Sequence, residues 1–321
     1  MSAYAGVDLG GTKVQSVVVD EGLRVLGSCF MLTPRDRGPA GVIEAIIDAV
    51  REALAQAGLS AGGLRSVGIG SPGRIDTVAG TVGHAGNLPE WSGTVPVVPE
   101  VAAALGCPVA LRGDVQSGVV AEWRLGAGRG FASMLGVFAG TGVGGGIILD
   151  GDLWRSHGAA GEVGHMVASN GGRACPCGRF GCLEAYAGRA PMEQEARHRA
   201  TEGTPTLLFD LMEQMDRTSL TGEVWAAALE QDDLLAAELV AANVEAMGVV
   251  LASAVNLLEV DAVVIGGGMG LALGDHYVDR VRASMDEHLV FPENPLTVRL
   301  AKLGELAGAL GAALAAQEES R

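Results

Sequence analysis

Basic side chains are scarce: 22 Lys and Arg face 38 Asp and Glu, so the 321-residue chain carries 22 − 38 = −16 with histidine neutral. A surface that neutralises nucleic-acid phosphates needs clustered Lys and Arg, so the shortage argues against nucleic acid and equally against an anionic membrane surface. Charged residues of both signs reach only 19% while apolar ones reach 48%, enough apolar surface to offset chain entropy and to argue against disorder. No basic, apolar, small-residue leader opens the chain, because Asp8 interrupts the first apolar run; a cytoplasmic location is the expectation. Uncharged runs of membrane length are also wanting. The one candidate, 131–149, has nineteen residues, but six are glycines, and it reads as strand, turn, strand. Cysteine is sparse at five, yet Cys175, Cys177 and Cys182 fall within eight residues. A disulfide scaffold would spread its cysteines, so a metal cluster is the better reading. Glycine is the exception to this thinness: 49 of 321 residues, about twice the usual 7%, with no three-residue period.

At about 150 residues per domain, the length predicts two domains. The chain also echoes itself. An offset of 129 lays 5–22 on 134–151, and each segment reads as an apolar strand, a turn containing Gly-Thr (Gly11-Thr12; Gly140-Thr141), a second apolar strand and an acidic-Gly turn (Glu21-Gly22; Asp150-Gly151). Two such hairpins suggest a duplicated domain. They differ at the end of the first strand, where Asp8 aligns with Val137. Elsewhere helices are expected at 40–57, 97–105, 115–125, across 191–231 with two polar interruptions, at 232–258 and at 303–316. Strands are expected at 66–70, 109–112, 262–265 and 296–301. This alternation predicts an α/β fold with ligands at the carboxyl ends of strands, and Asp114 stands where a strand gives way to a helix. Cys29 and Cys107 read as small apolar residues.

Three constellations carry chemistry. In Asp8-Leu9-Gly10-Gly11-Thr12-Lys13 the glycines let backbone N–H groups face a phosphate, while a hydroxyl and a lysine add donors. The acid beside them suits Mg²⁺ or its waters. The second turn, Gly140-Thr141-Gly142-Val143-Gly144-Gly145-Gly146, offers further amides, and Gly266-Gly267-Gly268 follows a buried strand. Neither turn is a P-loop or a Rossmann fingerprint, so together the three glycine segments read as a divided nucleotide site. His165, Cys175, Cys177 and Cys182, separated by nine, one and four residues, supply one imidazole and three thiolates. That set makes a closed tetrahedral Zn²⁺ site, structural rather than catalytic. Glu162 and Glu184 flank the cluster, and paired carboxylates with a histidine suit a polyhydroxylated ligand.

These motifs occur in the order seen in ROK proteins: Asp8-Leu-Gly-Gly-Thr-Lys13, Gly70-Ser-Pro-Gly-Arg-Ile-Asp76, Asn87-Leu-Pro, Gly140-Thr-Gly-Val-Gly-Gly-Gly146, Glu162-Val-Gly-His165 and Cys175-Pro-Cys-Gly-Arg-Phe-Gly-Cys-Leu-Glu184. The chain resembles that family from end to end, its bacterial glucokinases most. The resemblance implies a duplicated, ribonuclease-H-like, actin-like two-domain sugar kinase fold with a structural zinc site, closing on a hexose and ATP with Mg²⁺. The expected domains are 1–113, joined by the C-terminal helix 303–321, and 114–302 with the zinc motif. By that likeness Gly10, Gly11, Thr12, Lys13, Gly140, Thr141 and Gly142 line the phosphates, with Asp8 beside them. Gly266, Gly267 and Gly268 line the adenosine, and Asn87, Glu162, His165 and Glu184 hold the sugar. Asp114 is the general base toward the 6-hydroxyl, contributing about 10²–10⁴ in rate. A homodimer or homotetramer is expected.

The chain departs from the pattern at one place. Family kinases usually carry Asn-Asp-Ala-Asn where this chain has Gly113-Asp114-Val115-Gln116. Losing one neutral hydrogen bond costs about 0.5–1.5 kcal/mol, enough to redirect sugar choice. Kinases for N-acetylmannosamine, N-acetylglucosamine, mannose or fructose are therefore the alternatives within the family. Outside catalysis the alternative is a sugar-responsive repressor or sensor. Family repressors add an N-terminal helix-turn-helix, for which the seven residues before Asp8 leave no room, and −16 counts against DNA.

Overall fold

The computed structural model describes residues 2–155 and 160–320. Residues 1 and 321, the outer limits of the expected domains, lie outside them. The chain falls into two compact units: Met1–Leu125 with Arg155–Ala160 and Glu305–Arg321, and Gly126–Trp154 with Gly161–Gly304.

In the first unit β1 (Ala3–Leu9), β2 (Lys13–Val19) and β3 (Val25–Leu32) form an antiparallel meander. β4 (Leu64–Ser71) and β8 (Val109–Gly113) extend it in parallel, giving the order β3-β2-β1-β4-β8. A small sheet of β5 (Arg74–Asp76), β6 (Thr81–Gly83) and β7 (Thr94–Val95) follows β4, and α2 (Val97–Leu105) leads into β8. α1 (Gly38–Gln56) buries Val42, Ile43, Ile46, Val50, Ala53 and Leu54 against β2 and β3, the three-to-four spacing of an amphipathic helix. Sequence alone did not anticipate β3, which has no strict alternation, or the small sheet.

α3 (Asp114–Leu125) and α10 (Ala307–Glu319) pack on each other and on the same sheet. α10 reads Ala-Gly-Ala-Leu-Gly-Ala-Ala-Leu-Ala-Ala, and it lies on the strands almost backbone to backbone. A Cβ at Gly6 would overlap the carbonyl oxygen of Ala309, one at Gly68 that of Ala312, and one at Gly311 that of Ser117 in α3. The first unit therefore continues to Leu125, past the expected limit at 113, because α3 cannot part from α10 without opening this contact.

The second unit has the matching sheet order. β9 (Met134–Ala139) and β10 (Val143–Leu149) form a hairpin, β11 (Asp152–Leu153) edges it, and β12 (Ala262–Gly266) and β13 (Thr297–Leu300) add in parallel: β11-β10-β9-β12-β13. The hairpins differ by one turn residue, since Leu9 pairs with Val14 but Ala139 with Val143. Register therefore makes Phe138, opposite Gly144, the counterpart of Asp8, opposite Gln15. This corrects the sequence alignment, which put Val137 there.

The helices are α4 (Glu184–Ala187), α5 (Arg189–Thr201), α6 (Leu208–Gln214), α7 (Gly222–Glu230), α8 (Leu234–Leu258) and α9 (Gly268–Asp286). α8 starts at Asp233, whose side chain accepts from the Ala236 N–H at 2.8 Å, an N-cap. Among the described residues it alone is long and apolar enough to cross a membrane, and it is mostly buried as the core helix of this unit. α9 was not anticipated. Gly268, Gly270 and Gly274 weaken its pattern, but Tyr277, Val281 and Met285 are buried against α8, and packing outweighs propensity.

Candidate functional site

In the first unit the site is a set of strand ends. Leu9 ends β1 and Lys13 begins β2; between them the Gly10 N–H donates to the Lys13 carbonyl at 2.8 Å, and the Thr33 hydroxyl to the Gly10 carbonyl at 2.7 Å. Thr12 is exposed at the turn. Gly11 has a packing reason to lack a side chain, because a Cβ there would overlap the carbonyl oxygen of Asn87. That contact also brings Asn87, which is exposed, to the turn. Lys13 lies 3.7 Å from Glu305.

Asp8 sits under this turn at the start of α10, where a Cβ at Gly308 would lie 2.5–2.8 Å from its carboxylate atoms. Burial, and next the negative charge of Asp114, raise its carboxyl to about 7, with Lys13 pulling the other way. Two carboxylates that disfavour each other's charge, set beside a lysine, fit a divalent cation carrying a phosphate. Asp114 opens α3 directly after β8, and its Oδ1 accepts from the Val115 N–H at 2.8 Å, which fixes the carboxylate at the strand end. Beside it, Gln116 borders the position that a side chain at Gly113 would take. Its Oε1 lies 3.5 Å from where a Cβ at 113 would stand, and its Nε2 donates to the Ala160 carbonyl at 3.1 Å.

In the second unit the glycine turn and the Cys/His cluster are one structure. A Cβ at Gly142 would overlap Oε2 of Glu184, and that oxygen accepts from the Val143 N–H at 2.9 Å. The other carboxylate oxygen, Oε1, lies 3.8 Å from Cys175 Sγ. Glu184 thus ties the turn to the cluster, a partnership with no sequence signal. Glu162 is exposed and stands outside the cluster; its carbonyl accepts from the His165 N–H at 3.0 Å.

The ligand atoms of His165, Cys175, Cys177 and Cys182 all lie within 4.8 Å of one another. A zinc tetrahedron with bonds of about 2.3 Å has edges of about 3.8 Å, and both Cys177 Sγ–Cys182 Sγ and His165 Nδ1–Cys175 Sγ measure 3.8 Å. The Cys175 N–H donates to the Arg179 carbonyl and the Gly178 N–H to that of Cys175, with Gly178 at φ 85°, so the loop folds into a tight knuckle. Burial pushes the Cys175 thiol up to about 12, whereas Arg179 draws Cys177 down to about 6. Buried thiols beside an arginine-stabilised one are compatible with a structural zinc site.

Gly266 and Gly267 lack side chains for reasons internal to the unit: a Cβ at Gly266 would press on the Phe138 ring at 2.6 Å, and one at Gly267 would overlap the Ala139 carbonyl. A Cβ added at Gly268 or Gly140 would have nothing within 4 Å, so packing inside the unit does not require glycine at these two positions. Sequence reasoning missed one further residue, Arg189. Its Nη2 donates to the Thr141 hydroxyl at 3.3 Å, and a lone arginine in no recognised spacing carried no signal.

The family model described as the ROK family matches residues 4–319. The chain is 33% identical to a glucokinase of Streptomyces coelicolor over 99% of its own length and 98% of that protein. It is 30% identical to an N-acetylmannosamine kinase of Pasteurella multocida over 96% and 94%. Its structure resembles that of a ROK family glucokinase from Streptomyces griseus in complex with glucose and AMPPNP, with a TM-score of 0.85, 32% identity and coverage of 99% and 100%.

Proposed function

Since the chain belongs to the ROK family, we propose that it is a sugar kinase that moves the terminal phosphoryl group of ATP to the 6-hydroxyl of a hexose, glucose foremost. One observation carries the reading: Asp114 is held by the Val115 N–H at a strand end, close enough to Asp8 for the two charges to oppose each other. One carboxylate is then available to take a proton from the attacking hydroxyl and the other to face a cation. Gly10, Gly11, Thr12 and Lys13 in the first unit, with Gly140, Thr141 and Gly142 in the second, are the donor-phosphate residues of this proposal. Gly266, Gly267 and Gly268 belong to the nucleoside, Gly268 being the open one. Asn87, Glu162, His165 and Glu184 belong to the sugar. Mg²⁺ fits beside Asp8, and when bound it neutralises charge on the phosphoryl group. The likeness to a glucokinase crystallised with glucose and AMPPNP supports this reading.

The test is a panel of glucose, mannose, fructose, N-acetylglucosamine and N-acetylmannosamine with ATP and Mg²⁺, scored by kcat/KM and by the position of the product phosphate. Glucose is expected to rank first with phosphate on the 6-hydroxyl. Sugar binding with no turnover of any of the five would favour a sensor instead. A second sugar preference has a specific ground, because residue 113 presents no side chain and Gln116 is the polar group bordering that position, which sets the hydrogen-bonding surface beside the proposed base.

Zinc is the second part of the proposal, held by His165, Cys175, Cys177 and Cys182. Metal analysis of the purified protein is expected to find about one zinc per chain. Stripping it with a chelator is expected to lower activity through Glu184, whose carboxylate links Cys175 to the second glycine turn. A metal-free protein with full activity would contradict this assignment.

A further inference from the structure

The second glycine turn has an arginine side chain at its edge. Arg189 opens α5, and its backbone N–H donates to the Gly140 carbonyl at 3.0 Å, while the next N–H, of Ala190, donates to the Thr141 carbonyl at 3.0 Å. The helix start is thereby pinned to the turn. Gly188 permits the approach: a Cβ there would meet the Glu184 carbonyl oxygen at 2.8 Å and Gly142 Cα at 3.2 Å. From this anchored stem the guanidinium reaches back, Nη2 donating to the Thr141 hydroxyl at 3.3 Å and Nη1 lying 3.5 Å from Glu193 Oε2. Glu193 is itself held, since it accepts from the Leu220 N–H at 2.9 Å and pairs with Arg197 at 2.8 Å.

Two backbone hydrogen bonds already fasten α5 to the turn, so the side-chain reach to Thr141 is not needed for anchoring. The Arg189 side chain keeps 30% exposure and has more N–H groups than its two contacts use. A planar, always-charged fork beside a glycine turn and an exposed threonine hydroxyl is suited to a phosphate oxygen. In a chain of net charge −16 the overall field repels anions, so a local cation has to supply the attraction. Resting on the reading of this turn as a phosphate-binding segment, we propose that Arg189 contacts the phosphate chain of the phosphoryl donor and is the donor-side cation of the second unit.

Arg189→Ala, Arg189→Gln and Arg189→Lys test this, the glutamine variant keeping most of the stem should alanine fold poorly. Steady-state kinetics give KM for MgATP and for the sugar, calorimetry gives Kd for MgADP at low and high salt, and thermal unfolding gives Tm. Loss of one charge-assisted contact is expected to raise KM for MgATP and Kd for MgADP by about 10–100-fold in the alanine and glutamine variants. Partial recovery is expected with lysine, with a weaker salt dependence in the neutral variants, sugar KM within about twofold and Tm unchanged. An unaltered KM for MgATP would overturn the proposal. So would a parallel rise in both KM values with a fall in Tm, which would make Arg189 a structural tie. A wild-type protein that binds no MgADP would overturn the kinase reading itself; wild-type binding matched by all three variants would overturn only the role of Arg189.

Discussion

Asp114→Asn is expected to lower kcat by about 10²–10⁴ while leaving KM for the sugar within about threefold. Asparagine has the shape of aspartate, and its side-chain carbonyl can still accept the Val115 N–H bond that fixes Asp114 Oδ1 at the start of α3. The substitution therefore removes basicity without moving the group, and a hydroxyl in place would still find a hydrogen-bond partner. Steady-state kinetics together with direct sugar binding separate the two quantities. A variant with near-normal turnover would remove Asp114 from the mechanism, and one that no longer binds sugar would make it a binding residue first. The substitution has a second consequence. The charge of Asp114 is one of the causes that hold the Asp8 carboxyl at about 7, so neutralising Asp114 should let Asp8 ionise more readily.

The largest effect on stability is expected from a single methyl group at Gly68 or Gly311. Gly68→Ala puts a Cβ onto the carbonyl oxygen of Ala312, and Gly311→Ala onto that of Ser117. Both obstacles are backbone atoms in regular elements, so relief requires α10 to lift from β4 or from α3 rather than a side chain to turn. Overpacking of this kind costs about 1–3 kcal/mol and at times more. At about 2–4 °C per kcal/mol, Tm should fall by roughly 6–12 °C for a loss near 3 kcal/mol. Gly93→Ala is the control, because Gly93 is exposed with nothing within 4 Å of its added Cβ. Thermal unfolding of the three variants side by side decides it. Equal Tm values would mean that the helix adjusts freely and that the glycines are a compositional habit.

Much of the site was legible beforehand because its chemistry is written in local spacing. Three cysteines in eight residues, a Gly-Thr turn after an apolar strand, and an aspartate at a strand-to-helix change each follow from a few consecutive residues. The contacts between such segments were not legible. Glu184 reads as one half of a sugar-binding pair, yet its carboxylate spans Val143 and Cys175, a link across some forty residues that no period encodes. Arg189 was invisible for the same reason. The alignment of Asp8 with Val137 slipped by one because the second hairpin turn is a residue shorter, a difference that becomes visible only when strands are paired. α9 was lost to its own glycines, since propensity argues against a helix that Tyr277, Val281 and Met285 then stabilise by burial.

By itself, the sequence determined the class of the molecule: an α/β chain with two echoing hairpins and a knuckle that gathers three thiols and an imidazole. Those properties depend on residue type and short-range spacing, which a linear reading preserves. Tertiary structure alone decided what the glycines are for. At a few of them, Gly140 and Gly268 among the site glycines, an added Cβ would meet only open space. Gly6, Gly68 and Gly311 instead let α10 settle on β1, β4 and α3. The physical reason is that a missing side chain has no local signature: whether the vacant volume faces a phosphate or another backbone depends on which distant segment comes to lie against it.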